Sequence, residues 1–230
     1  MKVDCRARRL WVAGGSTGLI FVYNIDTGSL IKKYTTPQTT STFLNDIALA
    51  PNGDAYITDS YRPVLFKIAG SDSQPGELES WLDFTGTAVQ YAPGALALNG
   101  IVVSTDGQYI VVVHTTDQKL YRVSVSDKTA TNISVGSGLV PGDGMVLDGQ
   151  VLYVVTRAST ANAILVFQMS PDFSGGILRD ILFDPTFAFP TTIARAGNRM
   201  LVVNSQFDKR SDGNPVLPFT ISEIAIPRVP

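Results

Sequence analysis

The chain has 230 residues, 17% of them charged, and a formal net charge of −2 at pH 7. An average domain is about 25% charged, so polarity here rests on Ser, Thr, Asn and Gln, and nothing attracts nucleic acid or an anionic membrane over long range. No run approaches the ~20 apolar residues of a membrane span, and a single cysteine, Cys5, with a single histidine, His114, excludes a disulfide framework, a Cys-cluster metal site and a two-histidine centre.

The N-terminus, MKVDCRARRLWVAGG, has no signal-peptide core, because Asp4, Arg6, Arg8 and Arg9 interrupt it. A cytoplasmic location is the default expectation, with secretion open if further chain precedes Met1. Arg6, Arg8 and Arg9 read as a solvated turn. LysValAsp at 2–4 reads as an innermost strand, and RLWVAG after the turn as a second strand ending at Gly14. LIFVYNI (19–25) and LIKKYTT (30–36) follow as third and fourth strands.

This order then recurs. NDIALA leads into the Asn52-Gly53 turn and a strand ending at Asp59, then VLFKIAG (64–70) and LESWLDF (78–84). NGIVVS leads into a turn at Gly107 and a strand ending at His114, then KLYRVSV (119–125) and TNISV (131–135). DGMVLD precedes Gly149 and a strand ending at Thr156, then AILVFQM (163–169) and ILRDILF (177–183). TTIARA precedes Gly197 and a strand ending at Asn204, and FTISEIAI (219–226) closes the series. The second-strand ends lie 45, 55, 42 and 48 residues apart, the period of propeller blades. Four short strands per repeat, joined by Gly, Pro, Asn and Asp turns without helical periodicity, predict an all-β fold. We read it as a single β-propeller domain over 1–230, with a two-sheet sandwich as the alternative. About five blades are visible, the last lacking a fourth strand.

In an up-and-down blade the connection into strand one and the end of strand two share a face, opposite the glycine turns. Asn45 lies eight residues before Gly53, Asn99 eight before Gly107, and Asp143 six before Gly149. These oxygen-bearing side chains are expected at one end of the central channel, where a hard cation accepts such donors. Thr191 occupies the equivalent point of the fifth repeat, where it is a poorer ligand. The strand-two ends Asp59, His114 and Asn204, with Tyr61 and Arg157 just beyond, are expected to rim the same pocket and contact substrate. The segment SQFDKRSDGNPVLP (205–218) reads either as a lid or as a connector.

LNDIALAPNGDAYITDS, LNGIVVSTDGQYIVVVHTTDQKLYRV and PGDGMVLDGQVLYVV resemble, in order, the blade openings of the regucalcin/gluconolactonase family of six-bladed propellers. The resemblance implies a divalent cation, usually Ca²⁺ with Zn²⁺ or Mn²⁺ as alternatives, held by one Glu, two Asn and one Asp. Carried over, the metal ligands are Asn45, Asn99 and Asp143. The family's Glu-Gly segment has no counterpart, since Glu77, Glu79 and Glu223 lie elsewhere, and the six-blade plan implies roughly one more blade before Met1.

The implied chemistry is hydrolysis of a lactone or ester, with the cation polarising the carbonyl and a carboxylate taking the proton of water. Asp143 is the first candidate catalytic residue and Asp46 the second, although Asp46 also reads as a strand-start cap. Two other functions compete. One is a non-catalytic propeller that binds a small molecule or protein; the other is a strictosidine-synthase-like biosynthetic enzyme, whose pocket carboxylate would be Asp59. The expected partner is a small lactone or ester, with no nucleic acid or membrane.

Overall fold

The computed structural model describes residues 1–37, 41–71, 74–136, 138, 140–158 and 161–226. Among these residues it is an all-β propeller of antiparallel blades, four of them four-stranded and the fifth three-stranded. The first blade holds β1 (Lys2–Asp4), β2 (Arg9–Ala13), β3 (Leu19–Asn24) and β4 (Leu30–Thr35). The second holds β5 (Leu44–Leu49), β6 (Ala55–Asp59), β7 (Val64–Ile68) and β8 (Leu78–Asp83). The third holds β9 (Leu98–Val103), β10 (Tyr109–His114), β11 (Lys119–Ser124) and β12 (Ala130–Asn132). β13 (Gly142–Asp148), β14 (Val151–Ala158), β15 (Ala161–Met169) and β16 (Gly176–Leu182) form the fourth, and β17 (Pro190–Ala196), β18 (Arg199–Asn204) and β19 (Ile221–Ala225) the fifth.

The hairpin turns follow from residue type. Gly53, Gly107, Gly149 and Gly197 take φ of 88°, 73°, 60° and 63°, a region that costs an L side chain. The first blade has no glycine there, and Arg8 takes φ 55° instead. Its guanidinium pairs with Asp26 across the hairpin. Arg9 departs from the expected solvated turn: it is buried, and its Nη1 donates to the Ser71 carbonyl at 2.6 Å. The predicted strand at 131–135 stops at Asn132, because Ser134 leaves its sheet to bridge Gly175 of the next blade.

Blades pack face to face, so each central strand is buried on both sides and alternate residues serve different neighbours. In β10, Ile110 and Val112 pack with Tyr56, Leu65 and Trp81 of the second blade. Val111 and Val113 pack with Met145, Leu152 and Val154 of the fourth. Trp11, Ile20 and Val22 meet Ile47, Ile57 and Phe66 between the first two blades, and Val155 and Val166 meet Ile193 and Met200 between the last two. Such continuous apolar strands require cover on both faces, and stacking places β5, β9, β13 and β17 side by side. Among the described residues no helix is long and apolar enough to cross a membrane.

Candidate functional site

Each of these innermost strands begins with the same irregularity. Leu44 pairs with Asp59 and Ile47 with Ile57, so three steps on β5 oppose two on β6. Leu98 and Ile101 of β9 stand likewise against His114 and Val112, as do Gly142 and Met145 of β13 against Thr156 and Val154. In the fifth blade Pro190 pairs with Asn204 and Thr192 with Val203. The extra residue is a β-bulge, which twists the strand and re-aims a side chain. The bulged segments contain Asn45 and Asp46, Asn99 and Gly100, Asp143 and Gly144, and Thr191.

The second residue of each bulge sets how closely neighbouring strands approach. A Cβ on Gly100 would lie 2.2 Å from the Asp143 carbonyl oxygen, and one on Gly144 would lie 2.7 Å from the Thr192 Cα. In β5 the equivalent position is Asp46, whose carboxylate reaches across instead. Its Oδ1 accepts from the Ile47 amide at 2.8 Å and its Oδ2 from the Ile101 amide at 3.3 Å. Lys2 Nζ stands 3.7 Å from the same Oδ2. Asp46 therefore clips two blades together, the strand-start cap reading extended across a blade boundary.

The two asparagines are oriented by a repeated relay. Asn45 Nδ2 donates to Ser60 Oγ at 2.9 Å, and Ser60 Oγ donates to the Leu98 carbonyl at 2.6 Å. Asn99 Nδ2 donates to Thr115 Oγ1 at 3.1 Å, and Thr115 Oγ1 donates to the Gly142 carbonyl at 3.1 Å. Each hydroxyl follows a second-strand end directly, and each accepting carbonyl directly precedes the next blade's bulge. The amide nitrogen of each asparagine is thus committed to the wall, which leaves its oxygen as the group able to accept a further partner.

One cavity of about 460 Å³ is lined by Asn45, Asp46, Asn99, Asp143 and Thr191, together with Phe43, Tyr61, Phe207 and Arg210. Asn45, Asp46, Asn99, Asp143 and Thr191 offer amide, carboxylate and hydroxyl oxygens, the donors that suit Ca²⁺, while Met1 and Arg210 also border the cavity. Among the described residues no group of three or more His, Cys, Asp or Glu side chains gathers, so a cation held by Asn45, Asn99 and Asp143 would take two of its three protein ligands from amide oxygens. Part of the 205–218 segment reaches the cavity: Phe207 and Arg210 stand on the short 3₁₀ turn and its end. Gln206 pins that segment by bonding the Val216 amide and carbonyl at 2.7 and 2.8 Å.

Three of the residues expected on the rim lie behind it. Asp59, His114 and Asn204 stand at the correct end of their strands but are 0%, 2% and 1% exposed. Asp59 Oδ2 accepts from Arg62 Nε at 2.7 Å and from Thr42 at 2.5 Å, and Oδ1 accepts from the Phe43, Tyr61 and Arg62 amides. Burial pushes its carboxyl up, but these bonds outweigh burial and hold it below the usual carboxylate range. His114 is held at both ring nitrogens, Nε2 against the Gln90 carbonyl at 2.7 Å and Nδ1 against the Asp117 amide at 3.0 Å. Asn204 bonds Ala188 N, Thr186 O, Thr220 Oγ1 and Ser222 Oγ. All three shape loops instead of lining the cavity. Asp59 thus does not offer the carboxylate that the biosynthetic reading needs. Arg157 is the penultimate residue of β14, and its side chain lies outside the described residues. Tyr61 does reach the cavity. Ser60 and Thr115 are the site residues that spacing did not single out; their signal was a hydroxyl one step past each second-strand end.

A model of the SMP-30/gluconolactonase/LRE-like region matches residues 1–205. The chain is similar in fold to a Lactobacillus plantarum protein, with TM-score 0.62 and 18% identity over 90% of this chain and 63% of that one. It is also similar to a calcium-binding protein, regucalcin, from Agrobacterium tumefaciens, with TM-score 0.63 and 19% identity over 98% and 74%. Virginiamycin B lyase from Staphylococcus aureus gives TM-score 0.58 and 17% identity over 84% and 58%. The chain spans less than two thirds of the L. plantarum and S. aureus proteins. No curated protein sequence matches it.

Proposed function

We propose, because this chain belongs to the SMP-30/gluconolactonase/LRE-like family, that the bulge-lined cavity is a cation-dependent hydrolase site for lactones or esters on a six-bladed plan. The observation that carries the reading is the meeting of Asn45, Asn99 and Asp143 in one cavity, with both amides tied by their nitrogens to Ser60 and Thr115. These three residues would hold the cation, most simply Ca²⁺. When bound it would polarise the substrate carbonyl and make water more acidic.

The chain's own groups would supply the rest. Asp143 takes the proton as water oxygen attacks the carbonyl carbon. The ring or ester C–O bond then breaks, and that proton goes to the departing alkoxide, so a lactone and water give a hydroxy acid. Asp46, second candidate for the base, is held between two amides and near Lys2; we assign it to keeping β5 and β9 in register. Tyr61 and Arg210 line the same cavity and would contact the rest of the substrate. His114, Asp59 and Asn204 act on substrate only through the loops they hold.

Among the described residues no glutamate lines the cavity, and the second reading is a site that binds cation and ligand without turnover. The test separates them. Chelated protein is titrated with Ca²⁺, Zn²⁺ and Mn²⁺ while thermal stability is followed, since an ion preferring the native state must raise it. Aldonolactones and aryl esters are then assayed with wild type and Asp143→Asn. Hydrolysis lost in the variant supports the hydrolase; a thermal shift without any hydrolysis supports the binder; no shift with any ion refutes both forms of the cation site.

A further inference from the structure

We propose that a second cavity, adjoining the first at Tyr61, is a subsite for an uncharged apolar arm of the substrate; this rests on reading the first cavity as the reaction site. The second cavity measures about 620 Å³, and its walls include Tyr61, Arg62, Pro63, Tyr91, Ala92 and Pro93. Tyr61 lines both cavities. Tyr61 is thus the one side chain that both spaces share, and a substituent would have to pass beside it from the first to the second.

The character of that space follows from where its polar atoms are spent. Arg62 is 7% exposed, and Asp59, Thr36, Thr42 and the Pro37 carbonyl take its guanidinium donors. Its charge is balanced by the buried Asp59 carboxylate, so it is poorly placed to bind a phosphate or carboxylate. The Tyr91 hydroxyl donates to the Asp59 carbonyl at 2.9 Å, and its ring stacks on Phe84 with centroids 6.5 Å apart. The ring is thereby fixed as a wall. Phe43 meets Tyr61 edge-on with centroids 6.1 Å apart, and the Tyr61 amide is anchored on Asp59. The charged side chains Asp46, Asp143 and Arg210 all belong to the first cavity. Two compartments thus divide the work, one polar and one built mainly of aromatic rings, prolines and a neutralised arginine, with the Ser41 and Tyr61 hydroxyls on its walls. A few placed polar groups beside an apolar enclosure is the usual form of a small-molecule site. The favoured substrates are lactones or esters bearing an alkyl or aryl arm, over those bearing only hydroxyls or a phosphate.

The test is a homologous series of γ-lactones with unbranched side chains of one to eight carbons. In wild type kcat/KM should rise about fourfold per methylene until the space is filled, the ratio expected for burying one CH₂. Ala92 is exposed at the edge of the second cavity, so Ala92→Glu should fold; it should flatten that slope while keeping the Ca²⁺-induced rise in Tm. Binding is followed separately by saturation-transfer NMR with 4-phenyl-1-butanol, which needs no turnover. Transfer to the probe in wild type and its loss in Ala92→Glu support the subsite even if no lactone is hydrolysed, an outcome that would instead remove the hydrolase reading. A flat chain-length series, or a slope or probe signal that survives in Ala92→Glu, overturns the subsite.

Discussion

Replacing Thr115 with valine keeps the side chain's shape and deletes one hydroxyl, a sharp probe of the asparagine relay. The hydroxyl accepts from Asn99 at 3.1 Å and donates to the Gly142 carbonyl at 3.1 Å, and both of those residues are buried. Two bonds are lost, and a donor and an acceptor lose partners away from bulk water. The cost is about 1–3 kcal/mol, or roughly 2–4 °C of Tm per kcal/mol in a chain of this size. Losing the group that orients a ligand reduces ion affinity by about 10- to 100-fold, or about 1.4–2.7 kcal/mol. Calorimetric titration of chelated protein with Ca²⁺ would measure the affinity, and a thermal melt of the ion-free form the stability. Thr115→Ser, which keeps the hydroxyl, should restore most of the affinity. If Thr115→Val melts lower yet binds Ca²⁺ as tightly as wild type, the hydroxyl is structural only and the orientation argument fails.

Further tests follow from the same geometry. Gly100→Ala would set a Cβ 2.2 Å from the Asp143 carbonyl oxygen; parting the two strands should cost about 1–3 kcal/mol by urea denaturation and weaken Ca²⁺ binding with it. Arg62→Met strands the fully buried Asp59 carboxylate and should destabilise by about 3–5 kcal/mol; a loss under 1 kcal/mol would show that the remaining donors suffice. Because the Asp59 carboxyl is depressed in the fold, the unfolded chain binds more protons once pH drops below the ordinary carboxylate range, near about 4. Its contribution is therefore complete above that pH and lost as pH falls through the folded value. Asp59→Asn should be less stable at pH 7 but lose less on acidification, read from urea midpoints at pH 7 and pH 3.

Much of the fold was legible because a blade is a local unit. Alternating apolar strands, punctuated by Gly53, Gly107, Gly149 and Gly197, state strand number and spacing directly, and even Arg8 sits where the repeat calls for a glycine. The clustering of Asn45, Asn99 and Asp143 follows from their common register against those turns. Side-chain direction was less accessible. Asp59, His114 and Asn204 reach the expected end of the molecule, but pleat parity and bonding to nearby loops decide whether such a side chain faces the channel or the wall, and spacing carries neither. The bulges were hidden for a related reason: an extra residue is recognisable only when the partner strand's register is known. Ser60 and Thr115 went unnoticed because a hydroxyl past a strand end resembles any other loop residue until its two partners are in place.

The bulge shared by four blades has an evolutionary consequence. Because the backbone, and not any one side chain, decides what points at the axis, the residue there can be exchanged without disturbing the sheet that carries it. Asparagine, aspartate and threonine already occupy equivalent places in this chain. New reactivity could thus arise by single substitutions, whereas deletion of one residue from a bulge would withdraw a whole blade's contribution at once.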